Sequence, residues 1–147
     1  MDKRKVKSLF VEGPIPPTRL SDSIAHHEHK TNIGAHALFL GQVRADSIED
    51  QVVSAISFTA HEDMANQIYS EIREEAFSKF EMTCAHVYHS LGIVQTGQLC
   101  FSVFTSSARR KMALEGCEFF VEQIKARVPI FGKEHFASGE TQWKINS

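Results

Sequence analysis

Apolar residues along this chain fall into two periods, and the switches between them mark the elements. "GAHALFLGQVR" (34–44) alternates apolar and polar positions, as a half-buried strand does. "VVSAISFTA" (52–60) alternates again, with Val53, Ala55 and either Ser57 or its neighbours expected on the two faces of a second strand. The polar "ADSIEDQ" between them reads as a loop. Residues 62–80 place Met64, Ile68, Ile72, Ala76 and Phe80 at helical spacing, which predicts a long amphipathic helix. "MTCAHVYHSLGIV" (82–94) and "GQLCFSVFTSS" (97–107) then read as strands around the turn "QTGQ".

"ARRKMALEGCEFFVEQIKARV" (108–128) carries Ala113, Cys117, Phe120, Ile124 and Val128 on one stripe. That is a second long helix, which Pro129 ends. "PIFGKEHF" (129–136) and "TQWKIN" (141–146) are short extended pieces joined through "ASGE". Near the start, a proline-rich lead-in precedes a short amphipathic helix over 18–29. Hairpin-paired strands alternating with two long helices predict an α+β fold, an antiparallel sheet with the helices packed on it. With no repeat, linker or low-complexity tract, one domain is expected over 1–147, with an N-terminal segment (1–33) leading into a core (34–147).

Composition narrows the class. The 147 residues are 42% hydrophobic and 23% charged, enough for a globular chain with a sizeable core. A formal net charge of −2 argues against a nucleic-acid partner, which would favour a basic surface. No apolar run approaches the eighteen or so residues that span a bilayer, so no membrane is expected. The basic start, "MDKRKVKSLFVEG", lacks the apolar centre and cleavage site of a secretory signal. Cys84, Cys100 and Cys117 are odd in number and without a CxxC pair; they read as reduced, mostly buried thiols of a cytoplasmic protein.

The candidate chemistry is cationic. Arg44 closes the first strand, Arg109 and Arg110 open the second long helix, and Lys125 and Lys133 stand at and beyond its end. At about 100° per residue, Lys125 shares a face with Val121 and Glu118, at the edge of the apolar stripe. A half-sheltered lysine there is an acid or base candidate. The other reading is plain: cations at a helix C-terminus favour the dipole, and Glu122 is spaced to pair with Lys125. Arg109 and Arg110 oppose the dipole, an arrangement that a bound phosphate or carboxylate explains. His26, His27 and His29 suggest a metal site. Only His26 and His29 share a helix face, however, and no cysteine is near in sequence, so no metal is expected. His36, His61, His86 and His89 read as structural, and Cys117 as an inert buried thiol.

"GAHALFLGQVR", "MANQIYSEIREEA", "HSLGIVQTGQ", "TSSARRKMALEGCEFFVEQIKARVPIFGKE" and the late Trp143 together resemble the large, catalytic subunit of molybdopterin synthase, the MoaE family. The resemblance runs in order over about 34–143. It implies an α/β hammerhead-type fold and a sulfurtransferase of molybdenum cofactor biosynthesis. It implies transfer of sulfur from the C-terminal thiocarboxylate of a small ubiquitin-like MoaD-type subunit to cyclic pyranopterin monophosphate (precursor Z), forming the dithiolene of molybdopterin. A homodimer, and a heterotetramer with the small subunit, are implied too; a cofactor is not. Lys125 and Lys133 would be catalytic, and Gln42, Val43, Arg44, Arg109, Arg110, Gly132 and Glu134 would contact substrate.

Departures stand beside the match. The family's His-Arg pair reads Arg109-Arg110 here, and its P-I-W-K-K-E reads "PIFGKE", with Gly132 where a lysine stands. Either the glycine lets the backbone turn Lys133 inward, or that role is lost. "HSLG" puts Ser90 where the family has arginine, and Thr59 and His61 replace an acidic-aromatic pair. These changes leave a second reading open, a family member that docks the ubiquitin-like partner without turnover. An unrelated phosphate-ligand or RNA-binding domain is disfavoured by the charge and the lack of an aromatic RNP motif.

Overall fold

Residues 101–107 form the longest buried run of the chain and lie in one strand, which places that strand inside the sheet rather than at its edge. The computed structural model describes residues 7–145; the first six residues of the basic start, and Asn146 of the last extended piece, lie outside the described residues. In chain order the elements are β1 (Phe10–Glu12), α1 (Pro17–His26), β2 (Ala35–Gln42), β3 (Ser47–Ile48), β4 (Gln51–Ala60) and α2 (Glu62–Lys79). There follow β5 (Cys84–Gln95), β6 (Leu99–Ser107), α3 (Arg110–Arg127), β7 (Ile130–Phe136) and β8 (Thr141–Trp143). The sheet order is β2-β6-β5-β4-β7-β8, with β1 added parallel to β5 and β3 paired with β4. Every other pairing is antiparallel, so the α+β expectation holds.

Helix α3 packs on β2 and β6, and α2 packs on α3. All five residues of the α3 stripe are buried and share one core with Val87, Phe101 and Val103. The α2 stripe differs from the expected one: Ala65, Tyr69, Ile72 and Ala76 are buried, whereas Met64 is 51% exposed. Strict four-residue spacing drifts by about 40° per step around a 3.6-residue helix, so only its middle members can stay inside. A 4-3-4 spacing holds one face, and Tyr69 uses it to meet Phe120, ring centroids 6.4 Å apart.

Strand β4 departs from simple alternation. Val53 is buried, but so are Ile56 and Phe58, while Ala55 and Ser57 are half-buried. The register against β7 slips between Val53 and Ala55, a β-bulge that moves the buried set from odd to even positions. The loop expected at 45–51 contains β3, which turns into β4 through Glu49 and Asp50 at φ 48° and 64°. Positive φ at both central residues is what a tight hairpin needs, and the lack of glycine there hid the turn. Strand β1 also escaped notice. It runs between two fully enclosed apolar residues, Leu9 and Ile15, and covers Ser90. Among the described residues, no helix is long and apolar enough to cross a membrane.

Gly34 joins β2 to the start of α3: its N–H donates to Ser107 O at 2.9 Å, and a Cβ there would collide with the backbone oxygen of Ala108. Backbone cannot yield as a side-chain tip can. Gly34→Ala should therefore lower the unfolding free energy by roughly 1–3 kcal/mol, read as a fall in the denaturant midpoint at unchanged slope.

Candidate functional site

Where the end of β2, the middle of β4, β7 and the C-terminal turn of α3 come together, they leave a cleft of about 450 Å³. Its walls are aromatic and aliphatic: Phe39, Ile56, Phe58, Phe101, Ile124 and Val128 among them. The β4 bulge is what aims Ile56 and Phe58 at it. Two cations line the cleft, Lys125 from α3 and Lys144 just after β8, and none of the described lining residues is acidic. Lys125 Nζ stands 5.8 Å from the centre of the Phe101 ring. In apolar surroundings the attraction of such a pair for an anion is far less screened than in water.

The expected site residues divide. Gln42, Val43, Lys125 and Gly132 line the cleft. Lys125 is exposed rather than half-sheltered, because Val121 and Ile124 take the buried positions of that helix face. Arg44 follows Val43 at the rim; its Nε lies 3.0 Å from Asp46 Oδ1, and its side chain is largely in solvent. Arg109 and Arg110 are exposed at the start of α3, about 22 Å of helix rise from Lys125. They do not reach this chain's own cleft. Arg127, two residues from Lys125, points elsewhere: its guanidinium pairs with Glu75 on α2.

Lys133 settles the question that Gly132 raised. The glycine keeps extended backbone, so neighbouring side chains fall on opposite faces, and Lys133 Nζ sits 5.1 Å from the Trp143 ring, outside the cleft lining. Glu134 is buried at 4% exposure, where Gln142 Nε2 donates to its Oε1 at 3.1 Å. A side chain at 132 would press on Ile56 Cγ2 at 3.0 Å and Phe58 Cε1 at 3.4 Å, and Lys144 Cβ is 3.7 Å from the same point. Lys144 N donates to Gly132 O at 2.7 Å. The lysine absent at 132 thus has a neighbour that delivers a cation from the next strand's end. Sequence reasoning missed Lys144, since only the β7–β8 register brings it there.

Sequence reasoning also missed His89, read as merely structural. It lines the cleft between Phe58 and Phe101, with ring centroids at 5.0 and 5.4 Å. Its Nδ1–H donates to Ser90 O at 2.8 Å, which leaves Nε2 unprotonated. Burial above all, then the Lys125 charge, against the raising effect of that hydrogen bond, pushes its pKa down to about 4. Cys100 lines the cleft as well, and burial raises its pKa despite Lys125 and Lys144, so it stays a thiol. Burial likewise raises Cys117 on the α3 stripe. Neither sulfur is a ready nucleophile.

Comparison with known proteins supplies the context. The family model described as "MoaE protein" matches residues 11–127. A molybdopterin synthase catalytic subunit of Aspergillus fumigatus is 32% identical over 120 residues, covering 82% of this chain and 63% of that protein. This chain thus spans less than two thirds of that fungal relative. Among solved structures, molybdopterin synthase from Staphylococcus aureus superposes with a TM-score of 0.80 at 25% identity, over 94% of this chain and 96% of that one. A complex of subunits 1 and 2 of molybdopterin-converting factor from Helicobacter pylori shares the fold, with a TM-score of 0.78 at 24% identity over 91% and 87%.

The buried neutral imidazole has a cost in acid. The folded state holds His89 neutral down to about pH 4, whereas an unfolded histidine protonates near 6.5, so between those values the unfolded state binds more protons. Stability should therefore fall as pH drops through that window, by at most about 3 kcal/mol from this residue. His89→Gln should flatten that part of the curve relative to the wild type, measured by denaturant unfolding at a series of pH values.

Proposed function

This chain belongs to the MoaE family, and from that premise we propose that it is the large subunit of a molybdopterin synthase. It takes sulfur from the C-terminal thiocarboxylate of a small ubiquitin-like subunit and places it on cyclic pyranopterin monophosphate. One observation carries the reading: an apolar, aromatic-walled cleft holds two lysines and a neutral histidine. Both reactants are anions with flat or extended bodies, and such a cleft favours both. A thiocarboxylate tail can pass the exposed aromatics at the mouth, Phe131 and Trp143. Its sulfur makes a cysteine nucleophile unnecessary, in keeping with the protonated Cys100.

In this reading Lys125 stabilises the developing negative charge and moves protons during attack and ring opening. Lys144 takes the place of the second lysine, and Lys133 has no part in the chemistry. Gln42 and Val43 position substrate at the end of β2. Arg109 and Arg110 stand too far from Lys125 in one chain, so they bind substrate phosphate only in the cleft of a second copy, within a homodimer. Arg44, at the rim, meets the incoming partner.

Given thiocarboxylated partner and precursor, Lys125→Ala should lose at least about 100-fold in turnover while staying folded, and Lys144→Ala about tenfold or more. Lys133→Ala should stay near wild type. Dithiolene product measured by mass spectrometry decides the matter: a wild-type chain that binds the partner yet makes none is a docking module, not an enzyme. Mixing Lys125→Ala with Arg110→Ala chains should restore part of the turnover, because mixed dimers contain one intact cleft. No recovery on mixing would place the arginines outside the reaction.

A further inference from the structure

Away from the cleft, the fold gathers side chains for which the synthase reading has no use. His27, one residue past α1, is 4% exposed and lies against Phe104, ring centroids 5.5 Å apart. Its Nε2 is 3.2 Å from Nε2 of His86 on β5. Cys84 precedes His86 by two residues, so strand alternation puts both on one face. The ligand atoms of His27, Cys84 and His86 all lie within 4.8 Å of one another. We propose that these three side chains bind a divalent transition metal of the zinc class, fastening the end of α1 to the sheet.

The spacing suits such an ion. Two nitrogens about 2.0–2.1 Å from a tetrahedral zinc stand roughly 3.3 Å apart, which is close to the His27–His86 separation. The support for the first ligand is already in place, because His27 Nδ1–H donates to Ser23 O at 2.6 Å. That bond fixes the tautomer whose Nε2 lone pair faces His86, as carbonyls behind metal-bound histidines do. Without an ion, His86 Nε2–H donates to His27 Nε2. On binding, that proton moves to His86 Nδ1 and the Cys84 thiol proton leaves to solvent. Lys30 Nζ, which donates to Cys84 Sγ at 3.1 Å, gives up its hydrogen bond and swings out on its flexible stem.

The charge balance identifies the decisive ligand. Lys7, Arg73 and Lys30 act on His86 and resist any added positive charge. The Cys84 thiolate is what offsets a dication there, so a site of imidazoles alone would fail. A surface opening lined by His26, Arg19, Asp22 and Tyr88 borders both His27 and His86, so a water could enter as the fourth ligand. In sequence, Cys84-x-His86 is 57 residues from His27, which is why the run of histidines looked unsupported.

Cobalt(II) added to the metal-free full chain tests this directly. One equivalent should saturate a thiolate-to-cobalt charge-transfer band with tetrahedral visible bands, and zinc should displace it. Cys84→Ser should abolish the charge-transfer band, and both it and His86→Gln should weaken binding by more than about tenfold, with far-UV circular dichroism checking the fold. His26→Ala/His29→Ala should bind as wild type, which excludes the exposed histidines. Lys125→Ala should also keep the band, separating this site from the cleft. Absence of one-to-one saturation would overturn the proposal, as would a band that survives in Cys84→Ser or one lost only in His26→Ala/His29→Ala.

Discussion

The packing of the α3 stripe against β6 and β2 is the constraint on which the rest of this structure depends. Ala113, Phe120 and Ile124 are 0–2% exposed, so the helix has one permitted rotation about its axis. Given that rotation, each polar residue of α3 has its place assigned. Lys125, next to Ile124, must stand at the cleft, and Arg127, two residues on, must face α2 and its glutamates. Two cations separated by a single residue thus have unrelated surroundings because the buried residues that flank them, Ile124 and Val128, leave no choice.

The same packing was legible in the sequence wherever periodicity carried it. The α3 stripe and the β5–β6 hairpin came through because local pattern and final burial agree there. Legibility failed where a tertiary neighbour set the outcome. The α2 face was misread because a four-residue count ignores the drift that Tyr69 corrects by meeting Phe120. The β4 faces were misread because a bulge leaves no mark in composition. At the cleft, motif position found Lys125 and Gln42, which adjoin long elements. It could not find His89 or Lys144, which reach the cleft only through strand pairing.

Charge at the cleft is handled by separation rather than neutralisation. Arg44 has its own carboxylate at Asp46, Lys133 rests on Trp143, and Glu134 is enclosed with Gln142. Each is thereby kept out of the lining, to which Lys125 and Lys144 contribute. The neutral state of His89 belongs to the same economy, since a third positive charge among Phe58 and Phe101 would be poorly solvated.

The slip at Ser54 bears on how this chain can change over evolutionary time. Because β4 reverses its inward parity halfway along, its two halves answer to different neighbours and are not free to slide together. Straightening the bulge at unchanged length would turn Ile56 and Phe58 outward and bring Ala55 and Ser57 to the floor, making it shallow and hydroxyl-bearing. The spacing between Val53 and Ile56 is thus tied to the shape of the cleft floor, whereas Glu49 and Asp50 at the hairpin tip contribute nothing to its lining.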